Sequence, residues 1–62
     1  MPIINLKGPQ LSKEQKKELI ERFTEVASDV TELPTEAFIV LLEEMEQENV
    51  GVGGDMLSKR EE

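Results

Sequence analysis

A single amphipathic stretch between two short apolar runs is the feature that most limits how this chain folds. Apolar side chains recur at Leu19, Ile20, Phe23, Val26, Ala27 and Val30. That spacing places them on one face of an α-helix. Ser12 is a good N-cap, and Gln15, three residues on, completes a capping box. Pro34 stops the helix, because the residue before a proline is steered away from helical backbone. The end is expected near Thr31. The opposite face carries Lys13, Glu14, Lys17, Glu18, Glu21, Arg22, Glu25 and Asp29. It reads as solvated surface, with Glu18 and Arg22 as a favourable i,i+4 pair.

The flanking runs read as strands. In Pro2–Lys7, Pro2, Ile4 and Leu6 point one way and Ile3, Asn5 and Lys7 the other, which suits a strand with one buried face. Gly8-Pro9-Gln10 breaks it. Ala37-Phe38-Ile39-Val40-Leu41-Leu42 is a continuous apolar run, too short for an independent helix. It reads as a strand buried on both faces, as in a parallel sheet. Strand, helix and strand make one right-handed βαβ unit, an α/β fold that fills residues 1–62 as a single domain. The helix covers one face of the sheet. The other stays bare unless a second copy covers it.

Size leads to the same expectation. A chain of 62 residues buries only about 60% of its unfolded surface, and small domains compensate with disulfides, metal or assembly. There is no Cys and no His, which removes disulfides, thiolate sites and the commonest metal ligand. Assembly into a homo-oligomer remains, and no metal or cofactor is expected. The net charge of −7 excludes a nucleic-acid partner and an anionic membrane surface, since both need a basic face. A small anionic substrate in a local pocket is still compatible with it. With no signal peptide and no long apolar span, a soluble cytoplasmic protein is expected.

Beyond the second strand, Glu43-Glu44-Met45-Glu46-Gln47-Glu48 reads as a solvated acidic connector. Asn49-Val50-Gly51-Val52-Gly53-Gly54-Asp55 holds three of the four glycines. It has neither the spacing of a dinucleotide-binding fingerprint nor the Lys-Ser/Thr of a Walker loop. A short glycine hairpin is the structural reading. Glycines also let backbone approach a ligand or neighbouring subunit closely. The polar end, Ser58-Lys59-Arg60-Glu61-Glu62, is expected to fray.

The one candidate reagent is Pro2. If Met1 is removed, Pro2 carries a free secondary amine on a rigid ring at the start of a strand. An α-amine titrates near ~8; partial burial or a nearby cation lowers that, giving a neutral base at physiological pH. A proline there is equally what a plain edge strand opens with, because its missing N–H costs nothing.

These features in this order resemble the 4-oxalocrotonate tautomerase family. The residues that carry the resemblance are Pro2 behind Met1, the βαβ pattern, Ser12-Lys13-Glu14-Gln15-Lys16 at the helix start, and Gly51-Val52-Gly53-Gly54-Asp55 with Ser58-Lys59 near the end. The match spans essentially the whole chain and looks closest to an archaeal branch, which shares Gly8-Pro9, Leu11 and Glu48–Gly54. The resemblance implies loss of Met1, with the Pro2 nitrogen as general base for enol–keto proton transfer on a small 2-hydroxy-dienoate or enolpyruvate-type substrate. It also implies that two subunits pair into a four-stranded sheet with two helices. Three such dimers make a hexamer whose sites form where subunits meet.

The chain departs from the family at three places. Leu11 and Ile39 stand where the best-studied members carry the arginines that hold the substrate's carboxylate and polarise its carbonyl. Val50 stands where they carry an aromatic residue. Guanidinium suits both tasks because its fork is bidentate and permanently charged; leucine and isoleucine do neither. Leu11, Phe38, Ile39 and Val50 are therefore expected as apolar pocket lining around Pro2. Lys7, Lys59 or Arg60 of an adjacent subunit are the available substitute cations. Two other readings stay open: hydratase or lyase chemistry with Glu43, Glu44 or Asp55 activating water, and a non-catalytic oligomeric or binding relative.

Overall fold

The computed structural model describes residues 1–60, and only the backbone of Lys59 and Arg60. The expectations for Glu61-Glu62, and for the Lys59 and Arg60 side chains, lie outside the described residues. Strand β1 (Ile3–Gly8) is followed by helix α1 (Lys13–Thr31) and strand β2 (Ile39–Glu44). The strands pair in parallel, from Ile3 opposite Ile39 to Gly8 opposite Glu44. Backbone bonds continue past both ends: Ile39 N–H donates to the Pro2 carbonyl at 3.1 Å, and Met45 N–H to the Gly8 carbonyl at 2.8 Å.

Both helix ends are built as the local chemistry dictates. Ser12 Oγ accepts from Gln15 N–H at 3.1 Å, and Gln15 Oε1 accepts from Ser12 N–H at 3.0 Å. At the other end Glu32 turns left-handed (φ 62°), and its N–H reaches the Ser28 carbonyl at 2.9 Å. Ser28 Oγ donates to the Leu33 carbonyl, and Thr31 Oγ1 to the Ala27 carbonyl, both at 2.6 Å. The Glu32 N–H satisfies one of the carbonyls that a helix end leaves without partners.

Three expectations for β2 are corrected. Residues 35–37 form a 3₁₀ turn, with Ala37 N–H donating to Pro34 and Phe38 N–H to Thr35, so β2 begins at Ile39. Glu43 and Glu44 belong to β2 and not to a connector. The strand is not buried on both faces within the chain, because Leu41 is 47% exposed.

The glycine hairpin forms as read. Strands β3 (Gly51–Val52) and β4 (Asp55–Met56) pair antiparallel. Gly53 and Gly54 both have positive φ, +61° and +92°. Two left-handed central residues suit the twist of a tight hairpin, and glycine adopts them without a Cβ penalty. A one-turn helix, α2 (Leu57–Arg60), stands where fraying was expected. Leu57 N–H ties it to the Val50 carbonyl at 2.7 Å.

Opposed residues of paired strands share a sheet face. Toward α1 lie Pro2, Ile4, Leu6, Val40 and Leu42, all half-buried, with Leu19, Phe23 and Ala27 of the helix. On the other face Ile3 (61% exposed) and Leu41 are open. Among the described residues no side chain is fully buried. The radius of gyration is 14.9 Å, against about 11 Å for a compact chain of this length. The surface is 5148 Å², where a folded monomer of this mass exposes about 4,000 Å². One chain is thus an unfinished globule, elongated and thinly packed.

Candidate functional site

The residues singled out from the sequence fall at two ends of the β1–β2 ladder. At the first end, Pro2 precedes β1 with its ring half-buried. Its carbonyl is held by Ile39 N–H, so the backbone on the C-terminal side of the ring is fixed to the sheet. Phe38, just before β2, and Ile39, its first residue, stand at the same end of the ladder, both half-buried. Three of the five expected site residues therefore gather here.

Leu11 and Val50 do not. From Pro2 to Lys7 the strand runs five residues, about 16 Å, and both residues lie around that far end. Leu11 N–H donates to Glu44 Oε2 at 2.9 Å, while Lys16 Nζ pairs with Glu44 Oε1 at 3.0 Å. Glu44 thus clamps the β1–α1 loop and the first turn of α1 to the end of β2. The Leu11 N–H, and secondarily Lys16, hold its carboxyl below the usual carboxylate range. A depressed folded pKa stabilises the protein above the ordinary carboxylate pKa, and the benefit is lost as pH falls through the folded value. Glu44→Gln is accordingly expected to lower Tm by a few degrees at neutral pH. The gap to the wild type should close in acid, as read by thermal melts across pH.

Val50 lines an open cleft of ≈ 620 Å³ with Lys7, Pro9, Met45 and Leu57, floored in part by Gly8 and Gly51. Leu11 lines a small adjoining hollow with Leu6, Lys16 and Glu44. The reason the five residues divide is geometric: β1 carries its start and its end to opposite edges of the subunit. Neither the Val50 cleft nor the Leu11 hollow of one chain is lined by Pro2, Phe38 or Ile39. Lys7 joins this cleft because it alternates with Ile3 and Asn5 on the bare face. That alternation is visible in the sequence, but the cleft needs the hairpin folded alongside.

The remaining candidates sort simply. Arg22 is tied to Glu18 on the exposed face of α1. Glu44 is engaged by two donors, and Asp55 sits exposed on the hairpin. Among the described residues no group of three or more carboxylates converges as a metal site, and no helix is long and apolar enough to cross a membrane.

A sequence model described as tautomerase enzyme matches residues 2–60, beginning at Pro2 itself. The chain belongs to the tautomerase family. A probable tautomerase of Campylobacter jejuni is 44% identical to this chain over 57 residues, 89% of this chain and 84% of that one. Among solved structures, DmpI from Archaeoglobus fulgidus is 37% identical, with a TM-score of 0.85 over 92% of this chain and 98% of that one. TomN, a 4-oxalocrotonate tautomerase homologue in the tomaymycin biosynthetic pathway, superposes with a TM-score of 0.92 at 30% identity, covering 97% and 94%. The chain therefore has the βαβ fold of the 4-oxalocrotonate tautomerases, and its family is one of isomerases.

Proposed function

We propose that Pro2, freed by removal of Met1, is the general base of an enol–keto tautomerase. Its neutral amine takes the proton from the enol hydroxyl of a small 2-hydroxy-dienoate or enolpyruvate-type substrate. As the C=O bond forms, the π electrons shift along the conjugated system. The protonated amine then returns the proton to carbon, so that the reaction is an isomerisation with no net loss or gain of atoms. The observation that carries this reading is the placing of the Pro2 ring. It is half-buried at the head of the ladder, pinned through its carbonyl by Ile39 N–H. A ring fixed in that way keeps the nitrogen lone pair in one direction. Partial burial of the ring favours the uncharged amine.

Assembly is the second part of the proposal. The open apolar face with Ile3 and Leu41, the excess surface, and the separation of Pro2 from the Val50 cleft all favour several copies. We place two subunits in a four-stranded sheet with two helices, three such dimers in a hexamer, and each Pro2 at a junction between subunits. The test is ketonisation of phenylenolpyruvate or 2-hydroxymuconate by protein whose intact mass shows that Met1 is gone.

A non-catalytic role is favoured by one observation, the apolar side chains at Leu11 and Ile39. It predicts no rate above background on any enol. Water activation by Glu44 is disfavoured, because its carboxylate is already held by Leu11 N–H and Lys16.

A further inference from the structure

We propose that Lys7 holds the substrate's carboxylate, acting on the Pro2 of a neighbouring copy, and that the substrate is a monocarboxylate with an apolar body. The inference deepens the reading of Pro2 as general base and rests on it. Lys16 is bonded to Glu44 and Arg22 to Glu18. Lys13 and Lys17 lie on the exposed side of α1. Lys7 is the one described cation that lines the ≈ 620 Å³ cleft, whose other walls are the apolar Pro9, Met45, Val50 and Leu57 and the neutral amides Gln47 and Asn49. Glu43 is its opposite number in the strand register, yet Lys7 forms no ion pair among the described residues.

An apolar cleft with one cation at its wall has a definite chemical preference. An ammonium is a compact charge that attracts a carboxylate without demanding a bidentate geometry. One such charge balances one carboxylate. A second carboxylate would meet only apolar walls and neutral amides, with no charge to balance it. The cleft therefore fits an arylenolpyruvate-like monoanion better than a dicarboxylate. The strand fixes the rest. Lys7 stands about 16 Å along β1 from its own Pro2, farther than a lysine side chain reaches. The carboxylate held by one copy is consequently presented to the amine of another.

The test uses the assembled protein and two enols, phenylenolpyruvate and the neutral enol of phenylacetaldehyde. A charge-assisted contact is worth about 10- to 100-fold in affinity. Lys7→Met is expected to raise KM for phenylenolpyruvate by that factor, with little change in kcat and none for the neutral enol. Lys7→Arg should restore most of the loss. Equal effects on both enols, or no effect on either, overturn the proposal. Calorimetric binding of cinnamate, an unreactive monocarboxylate, is measured in parallel on Lys7→Met and Pro2→Ala. Weaker binding in Lys7→Met alone supports the anion site even if Pro2→Ala keeps full activity, an outcome that would sink the base assignment separately. Co-assembly of Lys7→Met with Pro2→Ala chains tests the placement in trans. Random mixing restores about one site in four if the two residues come from different copies. Activity no higher than the mean of the two parents contradicts it.

Discussion

Pro2→Ala is expected to lower kcat/KM for ketonisation by at least about tenfold, and blocking the amine entirely by about 10²- to 10⁴-fold, the usual worth of a general base. The two variants differ for a physical reason. Alanine, once Met1 is gone, still offers a primary amine of ordinary basicity near ~8. That amine swings freely about its Cα, whereas the proline nitrogen is part of a ring held by the Ile39 N–H bond. Alanine thus loses orientation and tuning but not the base itself. A chain that keeps Met1 has an amide at Pro2, with no lone pair to take a proton. Each chain should fold as before, because Met1 is 86% exposed in it, and lose the whole contribution. Rates on phenylenolpyruvate, paired with intact masses, separate these cases. Equal rates for all three proteins would sink the role of Pro2.

The second large effect concerns assembly. Leu41→Lys puts a charge on the sheet face that α1 leaves open. Covering Leu41 against another copy contributes about 1.5–3 kcal/mol when burial is complete. Leaving an unpaired ammonium there costs several kcal/mol more. In a symmetric interface each substitution counts once per subunit. A 62-residue chain has little stability to set against this, since net stabilities are on the order of 0.05–0.15 kcal/mol per residue. The expected result is loss of the assembled species in sedimentation, with loss of cooperative melting by circular dichroism. A well-folded monomer with unchanged Tm would show that the open face needs no partner.

Much of this fold is legible from spacing alone. The helix announces itself through Leu19, Phe23 and Ala27, and both its ends follow from short-range chemistry at Ser12, Gln15 and the approach to Pro34. The hairpin follows from Gly53 and Gly54. What misled was β2. The apolar run from Ala37 suggested an early start, but Pro34 and Thr35 offer carbonyls that close a 3₁₀ turn first. Glu43 and Glu44 looked like a connector because carboxylates are poor strand residues. They stay in the ladder because Lys7 and Gly8 extend opposite them, and Leu11 N–H and Lys16 satisfy Glu44.

The site was less legible. Pro2, Phe38 and Ile39 meet because strand pairing brings them together, and pairing can be read from pattern. Leu11 and Val50 were grouped with them by resemblance, whereas one folded chain keeps them at its far end. Contacts between copies are not written in the spacing of a single chain. Lys7 was visible as a polar residue on the bare face, but its place in a cleft depends on how residues 47–57 fold back beside β1.

The most direct test of Pro2 as the base is chemical labelling of the assembled protein with the electrophile 3-bromopropiolate, followed by peptide mass mapping and residual activity. A single adduct on the Pro2 nitrogen is expected, formed faster than on an unstructured prolyl peptide, with activity lost in step with labelling. An unlabelled Pro2, or a fully labelled protein that still ketonises phenylenolpyruvate, would contradict it.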